Sequence, residues 1–191
     1  GDAIIYILGK RLKSRGMLKD NTVVATVMSN SGFFDSLREI GIKCVQTAVG
    51  DRFVYECMQK NDYSLGGEQS GHIILKKYAT TGDGLLTAIM LTEEVCDTKS
   101  TLAKLCEELT LYPQTIKNLR VKDKSAVMAD AKVLDAVRRV DEEIDGKGRA
   151  LLRQSGTEPV IRVMIESEQE EKCISYAQMI VDEILKGGHG D

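Results

Sequence analysis

The apolar residues of this chain switch repeatedly between two periods, and that rhythm limits the fold more than any other feature. Ile4, Ile5, Leu8 and Leu12 recur at helical spacing and Gly16 closes the pattern, which predicts an amphipathic helix over 3–15. Thr22 to Val27 (TVVATV) is short and β-branched, as a buried strand is. Phe33, Phe34, Leu37 and Ile40 return to helical spacing, Lys43 to Thr47 reads as a strand, and Gly50-Asp51 opens a third helix that runs to Lys60, with Asp51 suited to cap it. Short strands alternating with helices over short connections predict a three-layer α/β domain with a mostly parallel mixed sheet.

Leu65-Gly66-Gly67-Glu68-Gln69-Ser70-Gly71-His72-Ile73 packs its glycines into a few residues before an apolar run, which describes a tight loop or bulge between two short strands. Thr80 to Gly84 is a polar connector, with Thr81 or Asp83 as the cap of an apolar helix over Leu85 to Cys96, and Leu102 to Leu109 forms a further short helix. Tyr112-Pro113-Gln114 then breaks the pattern, placing one domain at 1–112 and a second at 116–191. The second reads as strand (Ile116 to Val121), helix (Ala131 to Ile144), two strands around a polar turn, and a last helix opened by a Ser167/Glu170 capping box. That order predicts α+β, a small antiparallel sheet with helices on one face. Gly187 to Asp191 reads as a frayed tail in which His189 means little.

The polar turn, Arg153-Gln154-Ser155-Gly156-Thr157-Glu158-Pro159-Val160-Ile161-Arg162, concentrates groups that grip a phosphate. Period two can put Arg153 and Arg162 on one face, Ser155 and Thr157 offer hydroxyls, Gly156 lets backbone N–H groups approach closely and Pro159 stiffens the exit, which together would make a nest of donors. An ordinary polar hairpin with two solvated arginines has the same composition. In the glycine-rich loop Glu68, Ser70 and His72 point the same way if the segment is extended, and a carboxylate beside a hydroxyl suits a polyol or amino sugar. The alternative is a structural hairpin with His72 bonded locally. Asp51 and Arg52 lie where a strand feeds a helix, the usual ligand edge of such sheets. Arg52 in the first turn opposes the helix dipole unless it serves a ligand, and it reads otherwise as a solvated cation.

With 26 basic and 29 acidic side chains the net charge is −3, so no global field draws nucleic acid or an anionic membrane, and anion binding has to be local. Five scattered cysteines without a C-x-x-C pair read as core hydrophobes or free thiols in a reducing cytoplasm rather than as zinc ligands or disulfides, and no second His stands near His72 to make a metal site. No stretch approaches the length of a membrane span, and no signal peptide is evident. The chain starts Gly1-Asp2 and enters a helical pattern at once, as an excised piece of a longer protein does.

RQSGTEPVIRV resembles the phosphate-binding loop in the last domain of the α-D-phosphohexomutases, and GGEQSGH resembles the sugar-recognition loop of their third domain. TVVATVMSN, TAVGDRF, GGEQSGHIIL and TTGDGLL are similar to the bacterial branch of that family that acts on glucosamine phosphates. The resemblance implies domains three and four of a four-domain enzyme, the last being a TBP-like fold. Neither the phosphoserine motif nor the aspartate-rich magnesium loop of the first two domains is present, so it implies that this chain alone is inactive, holds no catalytic serine and binds no metal. The whole cytoplasmic enzyme would use Mg2+ and a glucose or glucosamine 1,6-bisphosphate and interconvert hexosamine 6- and 1-phosphates for cell-wall precursors. Its partners would be that small molecule, its own upstream domains and a second copy in a homodimer. By the same resemblance Glu68 and Ser70 would contact sugar, with Asp51 and Arg52 bordering the cleft and His72 an accessory. Arg153, Ser155, Gly156, Thr157 and Arg162 would hold the phosphate that stays. Gln154 stands where the family commonly has Pro. Glucose or mannose as the sugar, or a non-catalytic phosphosugar-binding module, are the alternatives.

Overall fold

The computed structural model describes residues 1–156 and 158–190. The chain divides into two compact units, Gly1–Leu111 and Tyr112–Asp191.

The first unit is organised around β1 (Thr22–Thr26), whose five residues are all buried. It pairs in parallel with β2 (Lys43–Thr47) on one side and with β3 (Leu65–Gly67) on the other, and β4 (Ile73–Leu75) closes the sheet antiparallel to β3 in the order β2-β1-β3-β4. The alternation of side chains along a strand decides what lies on each face. Val23 and Ala25 of β1 and Ile73 and Leu75 of β4 join the larger core, with Ile5, Leu8 and Leu12 of α1 (Asp2–Ser14), Phe33 and Leu37 of α2 (Ser31–Glu39) and Met90 of α4 (Gly84–Thr98). Val24 and Ile74 point the other way, against Val54 and Met58 of α3 (Asp51–Asn61). The unit is therefore three layers, helix on sheet on helix. α5 (Leu102–Leu105) is a single turn, shorter than the apolar spacing out to Leu109 predicts.

A buried charge joins α1 to α4. Arg11 of α1 is only 3% exposed, and its guanidinium reaches Glu94 at 2.9 Å and Glu93 at 2.7 Å, both on α4. Glu94 is 14% exposed while Glu93 is half in water, so the Arg11–Glu94 bond carries most of the coupling.

The second unit is a three-stranded antiparallel sheet in the order β5-β7-β6, with β5 (Gln114–Arg120), β6 (Gly148–Gln154) and β7 (Val160–Ser167). Ile161, Val163 and Ile165 of β7, flanked by Leu119, Ala150 and Leu152, face α6 (Lys124–Ala129), α7 (Ala131–Ile144) and α8 (Glu170–Lys186). All three helices pack on that one face of the sheet. The opposite face carries charge. There Glu166, fully buried, accepts from Arg149 Nε at 2.9 Å and Gln114 Nε2 at 2.8 Å.

Several local expectations are corrected. Gly50, at φ 132°, is the N-cap of α3, and Asp51 is its first helical residue. The Ser167/Glu170 capping box does not form, because Ser167 is the last residue of β7 and the N-cap position of α8 falls to Gln169, whose side chain makes no capping bond. α6 has no counterpart in the sequence reading. The tail is not frayed over 187–190: His189 Nε2 meets Asp130 Oδ2 at 2.8 Å, and Gly190 bridges to Val121. No helix among the described residues is long and apolar enough to cross a membrane.

Two outcomes are expected. Arg11→Ala strands Glu94 in a dry setting and lowers unfolding free energy by about 3 kcal/mol; a loss in urea titration no larger than that of an exposed lysine substitution would show the cluster to be ornamental. The thiol of Cys44 is pushed up to about 12 by burial, whereas Cys96 is exposed. Alkylation at pH 8 should therefore reach Cys96 in the folded protein and Cys44 only on unfolding, as peptide mass mapping would record.

Candidate functional site

In the first unit the carboxyl ends of β1 and β2 lead to helix beginnings, and the carboxyl end of β3 lies beside them. The turn Glu68 to His72 joins β3 to β4, closed by Glu68 N–H donating to His72 O at 2.9 Å and Gly71 N–H to Glu68 O at 3.0 Å. It is a turn and not an extended segment, so the alternation expected for Glu68, Ser70 and His72 does not hold. Glu68 is held from the side: its Oε1 accepts from Gly50 N–H at 3.0 Å, at the start of α3. The other carboxylate oxygen carries the remaining capacity to accept from a ligand hydroxyl or ammonium. Gly1, the N-cap of α1, lies so close that a methyl group there would come within 1.9 Å of Glu68 O. Asp2 Oδ2 accepts from Asn30 N–H, and Asn30 in turn caps α2.

His72 is exposed, and its ring lies over Gly82, where a Cβ would come within 2.6 Å of Cδ2. A side chain at Gly82 would displace that ring. The cap of α4 is Asp83, accepting from Leu86 N–H at 2.9 Å, and Thr81 does not serve. Four helix N-termini therefore gather about the Glu68 turn, an arrangement whose dipoles favour a bound anion. Asp51 and Arg52 belong to this edge. Arg52, 80% exposed, is paired with Glu56 at 2.7 Å, which raises its pKa, so it stands as a solvated helix-surface ion pair. Ser70 is exposed at the tip of the turn.

In the second unit β6 and β7 place Arg153 directly opposite Arg162 on the sheet face turned away from the helices. Like charges opposite each other on antiparallel strands are unfavourable. Burial first, and then the neighbouring Arg162, push the Arg153 pKa below its ordinary value. The Nε atoms of both arginines are buried and meet no hydrogen-bond acceptor among the described residues. Among the described residues Arg162 reaches the Glu158 carboxylate, at a long 3.4 Å. Two adjacent guanidiniums with unsatisfied donors are what a dianion would satisfy.

Ser155, 3% exposed, accepts from Glu158 N–H at 3.2 Å and gives its own N–H to Val160 O at 2.9 Å, so its hydroxyl braces the turn while keeping a proton to donate. Gly156 is exposed at the tip; Thr157 lies outside the described residues. Sequence reasoning missed Lys124, whose ammonium donates to Ser155 O at 2.7 Å and Glu158 O at 3.1 Å. It also missed the Gly50 tether of Glu68. A lysine at the first position of a helix, where the dipole disfavours it, was the one available signal for Lys124. Among the described residues no group of three or more His, Cys, Asp or Glu side chains is placed to hold a metal ion.

Fold and loops define a class: an α/β unit with a glycine-built polar turn at its strand ends, followed by a small α+β unit that presents an arginine pair on an anion loop. Residues 1–112 match the phosphoglucomutase/phosphomannomutase α/β/α domain III and residues 116–183 match the C-terminal domain of the same proteins, and the chain belongs to that family. It is 52% identical over 182 residues to the phosphoglucosamine mutase of Bacillus subtilis, covering 95% of this chain and 41% of that protein. Against the phosphoglucosamine mutase of Lachnospira eligens it is 48% identical over 189 residues, 99% of this chain and 42% of the relative. The chain thus spans about two-fifths of the length of the curated relatives it matches. The fold is also that of the N-acetylphosphoglucosamine mutase of Aspergillus fumigatus, solved with GlcNAc-6P and magnesium, at a TM-score of 0.79 and 17% identity over 98% of this chain and 44% of that one. A phosphoglucomutase/phosphomannomutase family protein of Burkholderia thailandensis gives 0.73 and 20%, over 98% and 42%.

Arg153→Met tests the arginine pair. Removing one of two facing cations should raise ligand-free stability by about 1 kcal/mol and weaken phosphate-ester binding by about 1.5–3 kcal/mol. Calorimetry that finds the variant less stable and equally able to bind phosphate would assign Arg153 a purely structural role.

Proposed function

We propose that this chain is the sugar-recognising and phosphate-anchoring part of a phosphoglucosamine mutase, which interconverts glucosamine 6-phosphate and glucosamine 1-phosphate. The observation that carries the reading is the cross-strand pair Arg153–Arg162, with its two buried, unpartnered Nε atoms, in a chain about half identical to phosphoglucosamine mutases. On this reading residues 1–112 are the sugar domain and residues 116–191 the phosphate domain. The arginines, the Ser155 hydroxyl, the Gly156 N–H and Thr157 hold the phosphate that is not transferred. Glu68, steadied by Gly50, takes hydroxyl or ammonium protons of the sugar, with Ser70 and His72 on the same turn and Asp51 and Arg52 at its border.

A fixed phosphate anchor explains how one phosphate-transferring group can serve both ends of a hexose. Binding energy from the held phosphate is the same whichever carbon carries it, so the sugar can present C1 or C6 to a single reactive position. The reactive group would be a phosphoserine, the mobile intermediate a hexose 1,6-bisphosphate, and the metal Mg2+. Solved structures of similar fold with glucose 1,6-bisphosphate and with magnesium support the bisphosphate and the metal for the whole protein. No serine or metal motif of that kind occurs in residues 1–191, so these residues bind and orient but do not transfer.

Residues 1–191 alone should give no turnover of glucosamine 6-phosphate in a coupled assay, whereas the whole protein that contains them should prefer glucosamine 1-phosphate over glucose and mannose 1-phosphates. Turnover by residues 1–191 would reject the division of labour, and a preference for mannose 1-phosphate would reject the sugar.

A further inference from the structure

Lys124 lies outside the residues that would touch a ligand, yet it holds the anion loop from behind. It is the first residue of α6, after the cap Asp123, whose carboxylate accepts from Ser125 and Ala126 N–H. A cation in a helix's first turn is disfavoured by the dipole, so this lysine is placed against its local preference. Its ammonium spends two of its three donors on carbonyls of a single turn, Ser155 O at 2.7 Å and Glu158 O at 3.1 Å. The Ser155 carbonyl belongs to the same planar peptide as the Gly156 N–H. In a trans peptide the C=O and N–H point in opposite directions. Fixing the carbonyl toward α6 therefore turns the Gly156 N–H away from it. The Ser155 hydroxyl, accepting from Glu158 N–H, completes the brace.

We propose that Lys124 is a positioning residue for phosphate binding: by clamping two carbonyls of the 155–158 turn it sets the direction of the Gly156 N–H that meets the anion. The inference rests on the reading of this loop as the phosphate anchor. A charge-assisted bond to a carbonyl also polarises that peptide, which makes its N–H a stronger donor. Lys124 thus acts on the ligand through the backbone, with no contact of its own.

The test is titration of this chain with inorganic phosphate, followed by 15N NMR at the Gly156 amide and run in parallel on Lys124→Met, Lys124→Arg, Lys122→Met and Arg153→Met. The dissociation constant should rise about ten-fold in Lys124→Met and stay within about three-fold of the parent in Lys124→Arg, which keeps a multiple donor. The Gly156 shift on binding should vanish in the first and return in the second. Lys122→Met removes an exposed charge two residues away. Should it weaken binding as much as Lys124→Met, a general field effect replaces positioning and the proposal falls. It falls equally if Lys124→Met binds like the parent while Arg153→Met does not. If the parent shows no shift at the loop, or if Arg153→Met leaves binding intact, the loop reading itself fails, separately from the role of Lys124.

Discussion

Parallel strands can be joined only by crossings that return along the opposite direction, and this constraint shapes everything in the first unit. With β1 buried on both faces between parallel neighbours, the helices that follow β1 and β2 must begin at the carboxyl edge of the sheet. β4 runs the other way, and the connector through Gly82 brings the chain back until Asp83 N–H meets Ile73 O, so α4 also starts at that edge. Donor-rich helix ends accumulate there as a result of topology. The turn from Glu68 to His72 is set into that ring, and its carboxylate is satisfied on one side by a helix beginning.

The second unit reaches a similar end by a different route. Antiparallel register fixes which side chains face each other, and here it sets arginine against arginine, with a guanidinium pKa depressed by burial and by its neighbour. At the far end of the same face the register sets Arg149 against Glu166, where a half-buried guanidinium bonds a fully buried carboxylate. One face of one sheet thus holds a satisfied pair and an unsatisfied one about four residues apart along β7. The first belongs to folding; the second is intelligible as preparation for a ligand, since a stable fold gains nothing from it.

Much of this was legible in the sequence because it depends on side-chain period. β2 was readable to the residue, and alternation within β6 and β7 left Arg153 and Arg162 able to share a face, which the register across the hairpin then decides. The misses share a cause: they depend on backbone dihedrals and on contacts distant in sequence. Asp51 looked like a cap, but Gly50 can take φ 132° and its N–H is engaged by Glu68. Ser167 stays in β7 because its N–H donates to Pro113 O, far away in the chain. The six residues of α6 are too few to show an apolar stripe, so Lys124 went unnoticed with them. The extended reading of Glu68 to His72 failed because Gly71 takes φ 100°, a left-handed conformation that lets the chain reverse there.

The end of the described chain has a consequence for solubility. β5 is an edge strand, with one row of backbone groups unpaired within the sheet. Pro113 precedes it, Lys117 and Arg120 lie along it, and beyond its last residue the tail folds back so that Lys122 N–H is taken by His189 O while Gly190 bridges Val121. The segment past α8 therefore works as a stopper on an otherwise open rim, denying a passing strand the place where it could begin to zip on.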